Sequence, residues 1–469
     1  TENFIEMKSN IMKFNLRRVT IITGSVLPLI NGCGDDKGKD VRPNIILFMV
    51  DDMGWQDTSV PFWKEKTPFN LRYRTPNMEK LASQGMMFTQ AYACSVSSPT
   101  RVSLMTGMNA ARHRVTNWTL ERNASVDGKS DVLSYPDWNV NGVQPTDMVP
   151  HSAYATMLPQ ILKDNGYYTI HCGKAHYGAI TTPSSNPLNC GFDINIAGHA
   201  AGGPGSYLGT ENFGNAEKGA YTLPWGVPGL EQYHGDSIFL TEALTREAIK
   251  ALDESKTSGK PFYLYMAHYA VHIPLYADNR FYKKYIDAGL GEYEARYASM
   301  VEGMDKSLGD LMDYLEKNNL SDNTIILFMS DNGGFSLRPR EGELHTHNKP
   351  LNSGKGSAYE GGIREPMIVK WPGKVKPGSK CNDYLIIEDF YPTIIEMAGI
   401  KDYSTVQKVD GKSIVPMLLQ SGTTSSGRKL FWHFPNNWGP TGPGIGASST
   451  IRNGEWKLIY FYEDKRFEL

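Results

Sequence analysis

The sequence predicts an α/β fold in which a mostly parallel central sheet is flanked by helices. Three apolar runs, residues 44–50, 261–266 and 324–329, have the length of strands that are buried on both faces of such a sheet. Each run is followed by polar residues, and helical patterns lie between the runs. Strands that alternate with helices favour a parallel sheet covered on both faces. A smaller subdomain with antiparallel strands is predicted at the end of the chain.

The polar residues after the three strands form the first indication of a site. Asp51-Asp52 follow the first strand, His268 and His272 follow the second, and Asp331-Asn332 follow the third. In open α/β sheets, ligands bind outside the carboxyl ends of the strands. We therefore expect these side chains to share one site.

The helices are predicted from apolar residues at spacings of three and four. The clearest stripe consists of Tyr297, Met300, Val301, Met304, Leu308, Leu311, Met312 and Leu315. Shorter helices are predicted at 77–83 and 156–165. Each is followed by a glycine, Gly85 or Gly166, that suits a left-handed cap.

The remaining chain divides into loops and a terminal hairpin. Residues 176–235 are rich in Gly, Pro, Asn and aromatics, which predicts long ordered loops over the site. Near the end, Asn453-Gly454 separates two strand-like runs, a strong hairpin signal. We predict a catalytic domain over 42–390 and a smaller α/β subdomain over 391–469, and whether residues follow Leu469 stays open.

The first 41 residues have the features of an export signal and a tether. Lys13, Arg17 and Arg18 precede an apolar run, 19–30, that is too short to span a bilayer. The run leads into Ile30-Asn31-Gly32-Cys33, which resembles a bacterial lipoprotein box with Cys33 as the lipidated residue. A plain signal peptide with an incidental Cys33 is the alternative. Either reading predicts export, to the periplasm or the cell surface, with a membrane contact only through a lipid anchor on Cys33.

The composition and net charge limit the classes of molecule that the protein is expected to bind. A chain of 469 residues with 40% hydrophobic and 21% charged residues is typical of a globular protein with a large core. Its formal net charge of -2 gives no general attraction for nucleic acid, so an anionic ligand needs a local cluster of cations. The cysteines other than Cys33 are scattered, which argues against a zinc site built from cysteine.

The acidic residues predict a metal site. Asp51, Asp52, Asp331 and Asn332 would supply four oxygen ligands at adjacent strand ends, a set that suits Ca²⁺ or Mg²⁺ rather than zinc. An Asp-Asp pair alone is equally typical of a turn or a helix cap.

The most specific motif lies at residues 97–107. Ser97, Pro99, Arg101, Thr106 and Gly107 stand at the spacing that resembles the signature of the formylglycine sulfatases. The serines alone would be read as a helix cap. Cys94 is the alternative modified residue, but it lies three residues too early for the pattern. The resemblance implies an alkaline-phosphatase-like sandwich and a Ser97 that is oxidised to formylglycine. A serine at this position resembles the branch that is matured by radical-type enzymes in anaerobic bacteria, so such a maturase is an expected partner.

The resemblance extends from about Pro43 to beyond Pro366 and supplies the remaining site residues. The segments 173–176 and 354–366 look like the corresponding family segments. They imply a bound Ca²⁺ held by Asp51, Asp52, Asp331 and Asn332 together with residue 97. The implied catalytic set is Ser97, Arg101, Lys174, His176, His272 and Lys355. His345 and His347 are candidate substrate contacts, although a polar loop explains them equally well.

The implied reaction is hydrolysis of a sulfate ester. A hydroxyl of hydrated formylglycine would attack sulfur, with His272 as the general acid and Lys355 as the alternative or helper. His176 would then remove a proton so that the aldehyde re-forms, while Arg101 and Lys174 hold the modified residue and the sulfate oxygens.

The expected substrate is a sulfated carbohydrate, with exo action on a galactose or N-acetylgalactosamine sulfate of a host or dietary glycan. Trp432, His433 and Trp438 suit stacking on a sugar ring, but ordinary packing explains them equally well. One rival is a phosphomonoesterase or phosphonate hydrolase on the same fold, although Asn332 stands where a two-zinc site would favour histidine. Another is a lipoprotein that binds sulfated glycan without turnover.

Overall fold

The computed structural model describes residues 42–469, so the predicted export signal, the tether and Cys33 lie outside the described residues. The described residues belong to one compact unit. Within them, no helix combines the length and the apolar character needed to cross a membrane.

A nine-stranded sheet forms the centre of the fold, in the order β10-β2-β9-β8-β1-β7-β5-β6 with β11 beside β2. All of its pairings are parallel except those of β9, which is antiparallel to β2 and β8. The predicted fold class is therefore confirmed. The strands of the central sheet and of a two-stranded ribbon (β3 and β4) are β1 Asn44–Val50, β2 Met86–Tyr92, β3 Val143–Gln144, β4 Ala153–Tyr154, β5 Tyr168–Gly173, β6 Ile194–Ile196, β7 Phe262–Ala267, β8 Thr324–Ser330, β9 Arg364–Lys370, β10 Ser379–Cys381 and β11 Leu385–Ile386.

The apolar runs form strands because each of their faces is covered. Successive side chains of a strand point to opposite faces. In β1, Ile45, Leu47 and Met49 accordingly join one buried cluster, whereas Ile46, Phe48 and Val50 join the other. The three predicted strands are confirmed as β1, β7 and β8.

Helices pack on both faces of the sheet. Their bounds are α1 Pro68–Arg72, α2 Pro76–Gln84, α3 Ser97–Thr106, α4 Ala110–His113, α5 Leu158–Asp164, α6 Leu240–Thr257, α7 Tyr282–Asp287, α8 Glu292–Lys317, α9 Glu360–Ile363, α10 Phe390–Met397 and α11 Val415–Leu418. The predicted stripe over 297–315 lies on α8 and is buried against the sheet, as expected.

The predicted glycine caps have different outcomes. Gly166 has φ +84°, in the left-handed region, and this prediction is confirmed. The prediction for Gly85 is wrong, because this residue has extended backbone with φ -130°. A Cβ at position 85 would lie 2.4 Å from the carbonyl oxygen of Val369. Close approach of β9, rather than a positive φ, therefore accounts for glycine here.

The end of the chain forms a second, antiparallel sheet in the order β12-β13-β14-β15, with bounds β12 Lys429–Phe434, β13 Ser448–Asn453, β14 Trp456–Phe461 and β15 Phe467–Glu468. The predicted hairpin is β13-β14, and Gly454 in its turn has φ +60°. Trp432 of β12 donates a hydrogen bond to the carbonyl of Ala93, 2.9 Å away, which ties this sheet to the segment before α3. The division of the chain at residue 391 stays a prediction.

Residues 176–235 form an extended set of loops. They contain the short strand β6 and 3-10 helices at Pro183–Ser185, Pro187–Cys190, Gly209–Gly214 and Glu231–Tyr233. Gly202 and Gly203 of this segment lie against the rings of His176 and His272, where a Cβ would come within 2.4 and 2.9 Å of the rings. The loops therefore reach the site, and glycine permits the close contact.

Candidate active site

The acidic residues meet because β1 and β8 are neighbouring parallel strands. Their register pairs Val50 with Ser330, so Asp51-Asp52 and Asp331-Asn332 leave the sheet side by side. One carboxylate oxygen from each of Asp51, Asp52 and Asp331 lies within 4.8 Å of the others, and all three residues are fully buried. Three such carboxylates do not gather without compensating charge.

Ser97 brings the predicted nucleophile position to this cluster. It is the first residue of α3, and Val96 before it offers no capping side chain. The Ser97 Oγ donates to Asn332 Oδ1, 3.1 Å away, and also lies 3.2 Å from Asp51 Oδ1. Cys94, the alternative modified residue, lies three positions earlier, and burial raises the pKa of its thiol to about 12. The geometry thus places residue 97, at the positive end of a helix, beside the carboxylates.

Two buried cations neutralise Asp51 and Asp331. Lys174 Nζ lies 2.5 Å from Asp51 Oδ2 and 3.1 Å from Ser97 Oγ. The guanidinium of Arg101 donates to Asp331 Oδ2 from Nε at 2.9 Å, and its Nη1 donates to the carbonyl of Lys174 at 2.9 Å. Arg101 therefore fixes both Asp331 and the backbone that carries Lys174.

Lys355 and His272 lie on the side of the cluster that is open to solvent. Lys355 Nζ is 2.7 Å from Asp52 Oδ1 and 2.9 Å from Oδ2, and His272 Nε2 is 3.8 Å from Asp52 Oδ2. The His272 side chain is 21% exposed, whereas those of Lys174 and Arg101 are fully buried. The ring of Trp438 lies 5.7 Å from Lys355 Nζ. A substrate that enters from solvent meets His272 and Lys355 first.

The two histidines carry their protons on nitrogens that face carbonyls. His176 Nε2 lies 3.0 Å from the carbonyl oxygen of Thr119, so the neutral ring donates from Nε2 and keeps a lone pair on Nδ1. His272 Nδ1 lies 2.7 Å from the carbonyl oxygen of Ile273, which leaves the lone pair on Nε2 toward the site. Within residues 42–469, His176 Nδ1 is buried and has no hydrogen-bond partner.

The charges in the site shift the ionisation of its members. Burial, together with the positive charge of Lys355, lowers the pKa of His272 to about 3. Burial also lowers the pKa of His176 well below its usual value, and Lys174 adds to the effect. Burial opposes the charge on Lys355, but Asp52 outweighs it and raises the pKa of the ammonium. Both histidines are therefore neutral and Lys355 is charged at neutral pH.

The two histidines predicted as substrate contacts, His345 and His347, differ in burial and in their neighbours. His347 is buried, and its ring nitrogens lie 2.8 Å from Ser336 Oγ and 2.9 Å from the carbonyl of Glu341. Both ring nitrogens of His347 therefore have partners within its own loop, and a substrate contact by His347 stays a prediction. His345 is partly exposed and packs against Gly442, whose added Cβ would lie 2.2 Å from the ring.

A buried network behind Asp52 was not predicted. Tyr297 Oη lies 2.7 Å from Asp57 Oδ2 and 3.0 Å from the carbonyl of Asp52, which itself has φ +59°. Arg340 is fully buried, pairs with Glu294 at 2.6 Å and with Asp57 at 3.4 Å, and stacks 3.8 Å from the Tyr297 ring. The network supports the left-handed turn that directs Asp52 into the site. Nothing in the local sequence marks Asp57 and Arg340, which lie far apart in the chain.

The donor set fits a hard divalent cation. Three carboxylates and the Asn332 amide oxygen converge, and oxygen ligands of this kind suit calcium or magnesium better than zinc. An oxygen-lined cation site beside a helix N-terminus, lysines, an arginine and two neutral histidines can bind a tetrahedral oxyanion and stabilise its displacement. Fold and site together define a hydrolase of oxyanion esters with the alkaline-phosphatase-like architecture.

Comparison with known proteins specifies the family. The family model described as "Sulfatase" matches residues 43–400, and that described as "N-sulphoglucosamine sulphohydrolase, C-terminal" matches residues 354–469. The chain belongs to the sulfatase family of the alkaline phosphatase superfamily, and it is a sulfuric ester hydrolase.

Individual relatives resemble the chain over most of its length. A protein named "Sulfatase" from Formosa agariphila is 31% identical, over 99% of this chain and 88% of its own length. The N-acetylgalactosamine-6-sulfatase of Mus musculus is 30% identical, over 85% of this chain and 70% of its own. The solved structure described as "Ps i-CgsB in complex with k-i-k-neocarrahexaose" has a TM-score of 0.69 and 29% identity, and the match covers 91% of this chain and 85% of that one.

Proposed function

We propose that this sulfatase removes sulfate from a galactose- or N-acetylgalactosamine-type sugar of a sulfated glycan by exo action, using formylglycine made from Ser97 and a bound Ca²⁺. The observation that carries the proposal is the Ser97 Oγ, which lies within hydrogen-bond distance of Asp51, Asn332 and Lys174. The substrate class is supported by the names of the relatives, an N-acetylgalactosamine-6-sulfatase and a protein solved with a neocarrahexaose.

Maturation of Ser97 explains why a serine is placed here. A serine hydroxyl is a weak nucleophile unless a base activates it, and the neighbours of Ser97 Oγ are carboxylate and amide oxygens and an ammonium, without a histidine within hydrogen-bond distance in the described structure. Oxidation to the aldehyde and its hydration would supply a hydroxyl at the same position. We infer that a radical-type maturase performs this step before folding is complete, since Ser97 is only 2% exposed in the folded chain.

The metal would be held by Asp51, Asp52, Asp331 and Asn332. A divalent cation bound there would stabilise negative charge on an oxygen ligand and on the sulfate. Lys174, Arg101 and Lys355 each lie within 3 Å of one carboxylate and favour its ionised form. Burial opposes this effect at Asp51, whose pKa is raised to about 8. Calcium is the proposed ion, since the set is oxygen-only and carboxylate-rich.

Proton transfer is assigned to the two histidines. His176 presents an unprotonated Nδ1 inside the site, which suits a base. His272 presents Nε2 on the open side and must gain a proton there before it can act as the acid. The negative charge of a bound sulfate ester would raise its pKa, and Lys355 beside it stays charged and binds a sulfate oxygen.

The test combines mass spectrometry with turnover. The protein is produced anaerobically with and without a radical maturase, and the peptide containing Ser97 is weighed. We expect the loss of two hydrogens at Ser97 only with the maturase, and calcium-dependent sulfate release only from that material. Galactose and N-acetylgalactosamine carrying sulfate at different hydroxyls serve as substrates. An active protein with unmodified Ser97, or a fully modified protein without release from any sulfated sugar, would refute the proposal.

We also propose that the enzyme acts outside the cytoplasm as a lipoprotein. The basic residues before the apolar run 19–30 and the lipobox-like sequence at Cys33 support this proposal. Cell fractionation of the native host tests it, with Cys33→Ala as the comparison. We expect the variant to leave the membrane fraction, and a variant that stays there would contradict lipid anchoring through Cys33.

A further inference from the structure

An open groove of about 1040 Å³ lies on the outer face of the C-terminal sheet, away from the catalytic cluster. One wall comes from α4 and the residues after it, including Arg114 and Trp138, and the floor comes from β12, β13 and β14. The volume is at the upper end of the range of small-molecule sites. None of the catalytic or metal residues described above lines it.

The groove lies apart from the active site, and two short segments of the polypeptide run from one to the other. Helix α3 begins at Ser97 and is ten residues long, which at its rise per residue is about 15 Å, and α4 begins soon after it. A second path leads from Thr119, whose carbonyl binds His176, back to Arg114, a span of at most about 18 Å. A chain of several sugars could occupy both places.

The floor of the groove is apolar and aromatic although it is not covered by other residues. Phe431, Ile451 and Leu458 are cross-strand neighbours on one face of the sheet, and Phe431 is 48% exposed. The next row on that face contains His433 and Tyr460. The opposite face, with Leu430, Trp432 and Phe434, is buried against the rest of the protein. The exposed face is thus not needed to complete the core.

The rim of the groove adds aromatic faces and positive charge. The Trp138 ring stacks with His433 at a centroid distance of 5.7 Å, and the Arg114 guanidinium lies 5.1 Å above Trp138. Among the described residues, Arg114, Lys412 and Lys429 line the groove without an ion-pair partner. All three are exposed.

The two carboxylates of the groove do not cancel this charge. Asp410 is already paired with Arg112, whose Nε lies 2.7 Å away. Glu388 is 4% exposed, and its Oε2 has no hydrogen-bond partner in the described structure. Burial and the neighbouring Asp389 raise the pKa of Glu388 to about 8, so this carboxyl is mostly protonated at pH 7. The groove therefore presents an excess of positive charge and a neutral hydrogen-bond donor.

We infer that this groove is a second binding site for a sulfated oligosaccharide, which holds a distant part of the glycan whose terminal sugar occupies the active site. Aromatic faces that are edged by polar groups suit sugar rings, and the free cations suit sulfate groups. The inference rests on the proposed function for the nature of the glycan. A second copy of the chain is a poorer occupant, because a two-fold contact would place one positively charged groove against another.

The test separates polymer binding from catalysis. Affinity is measured by isothermal titration in a Ser97→Ala background, with an iota-carrageenan hexasaccharide, with chondroitin 6-sulfate hexasaccharide and with both after chemical desulfation. Arg114→Glu and Lys429→Glu each change the net charge by two at an exposed position of the groove. Lys64→Glu is the matched control, because Lys64 lies 5.9 Å over the Trp63 ring, outside the groove. Trp138→Ala probes the stacking face without a charge change.

We expect each of the three groove variants to weaken binding of at least one sulfated hexasaccharide by about threefold or more, and Lys64→Glu to leave it within experimental error. Desulfated oligosaccharides should bind weakly to all variants. In the matured enzyme, in which residue 97 has been oxidised to formylglycine rather than replaced by alanine, the same groove variants should keep kcat/KM for a monosaccharide sulfate and raise KM for the hexasaccharide. Unchanged hexasaccharide affinity and KM in all three groove variants would overturn the inference. Self-association of the protein that Phe431→Glu abolishes would also overturn it, because a second copy of the chain would then occupy the groove. Failure of the matured enzyme on every sulfated sugar would instead count against the proposed function.

Discussion

Replacing Arg340 by methionine tests whether the buried network behind Asp52 holds the fold and the site together. Arg340 is fully buried, and its guanidinium pairs with Glu294 and donates to the carbonyl of Phe335 and to Tyr73 Oη. Methionine keeps much of the volume but removes every donor. Asp57 and Glu294 would then remain buried without their shared cation, although Glu294 keeps Arg72 at 2.6 Å.

The expected loss of unfolding free energy can be worked out from the pKa of Glu294. Burial opposes its ionisation, but Arg340, together with smaller contributions from Arg72 and His347, outweighs burial and lowers the pKa of Glu294 from 4.5 to about 2. A difference of that size corresponds to about 3 kcal/mol of unfolding free energy at pH 7. Breaking a buried ion pair by removing one partner costs roughly 3 to 5 kcal/mol in other proteins. We therefore expect Arg340→Met to lose about 3 kcal/mol at pH 7.

The pH dependence of this loss has a definite sign. A carboxyl whose pKa is lowered in the folded state contributes its full stability above the unfolded value of 4.5, and the contribution disappears as the pH falls through 2. The stability difference between wild type and variant should therefore be about 3 kcal/mol at pH 7 and about half of that at pH 3.

Urea unfolding followed by intrinsic fluorescence measures the difference at each pH. Arg466→Met is the control, because the Arg466 side chain is 48% exposed and its partner Asp464 is 49% exposed, so this ion pair should contribute less than about 1 kcal/mol. A loss below about 1 kcal/mol for Arg340→Met, or a difference that grows toward pH 3, would refute the reasoning. Because Tyr297 holds the Asp52 carbonyl and Arg340 stacks on Tyr297, the variant should also need more calcium for half-maximal activity.

Three further predictions concern the site itself. His272→Ala should lose about a hundredfold or more in kcat/KM on a sugar sulfate but far less on nitrophenyl sulfate, whose leaving group needs no proton. Equal losses on both substrates would show that His272 is not the general acid. Lys355→Met tests Lys355 as the alternative acid in the same way. Asn332→Ala removes one of the four proposed oxygen ligands and should weaken calcium binding by about tenfold or more in a titration with a competing chelator. Unchanged affinity would exclude Asn332 from the ligand set. Ser97→Ala should abolish both the aldehyde and the sulfate release while Cys94→Ala keeps both, and the reverse result would move the modification to Cys94.

The candidate site residues could be predicted from the sequence where they lie in short contiguous segments. The proposed metal ligands directly follow two apolar strands, and Ser97, Arg101 and Lys174 lie in motifs a few residues long, so local patterns marked them as candidates. The meeting of these segments followed from one rule, that parallel strands carry their carboxyl ends to the same edge of the sheet.

Features that depend on distant contacts were not predictable. Gly85 adopts extended backbone because the Val369 carbonyl lies against it, and nothing near position 85 reports that contact. The hydrogen bonds that join the His347 ring to Ser336 and to the carbonyl of Glu341 are also not marked by the sequence around His347. The antiparallel direction of β9, between two strands that run the other way, is likewise invisible in an apolar run.

The charge balance of the site explains how a chain with a net charge of -2 can bind an anionic ester. Asp51, Asp52 and Asp331 are each matched by one buried or nearly buried cation, respectively Lys174, Lys355 and Arg101. The protein atoms alone therefore form an almost neutral set, which can be buried at tolerable cost. A divalent cation among the carboxylates would add its whole charge to that set and make the site positive. Attraction for the sulfate group that is cleaved would then be produced at the place where catalysis occurs, although the chain as a whole carries a small negative charge.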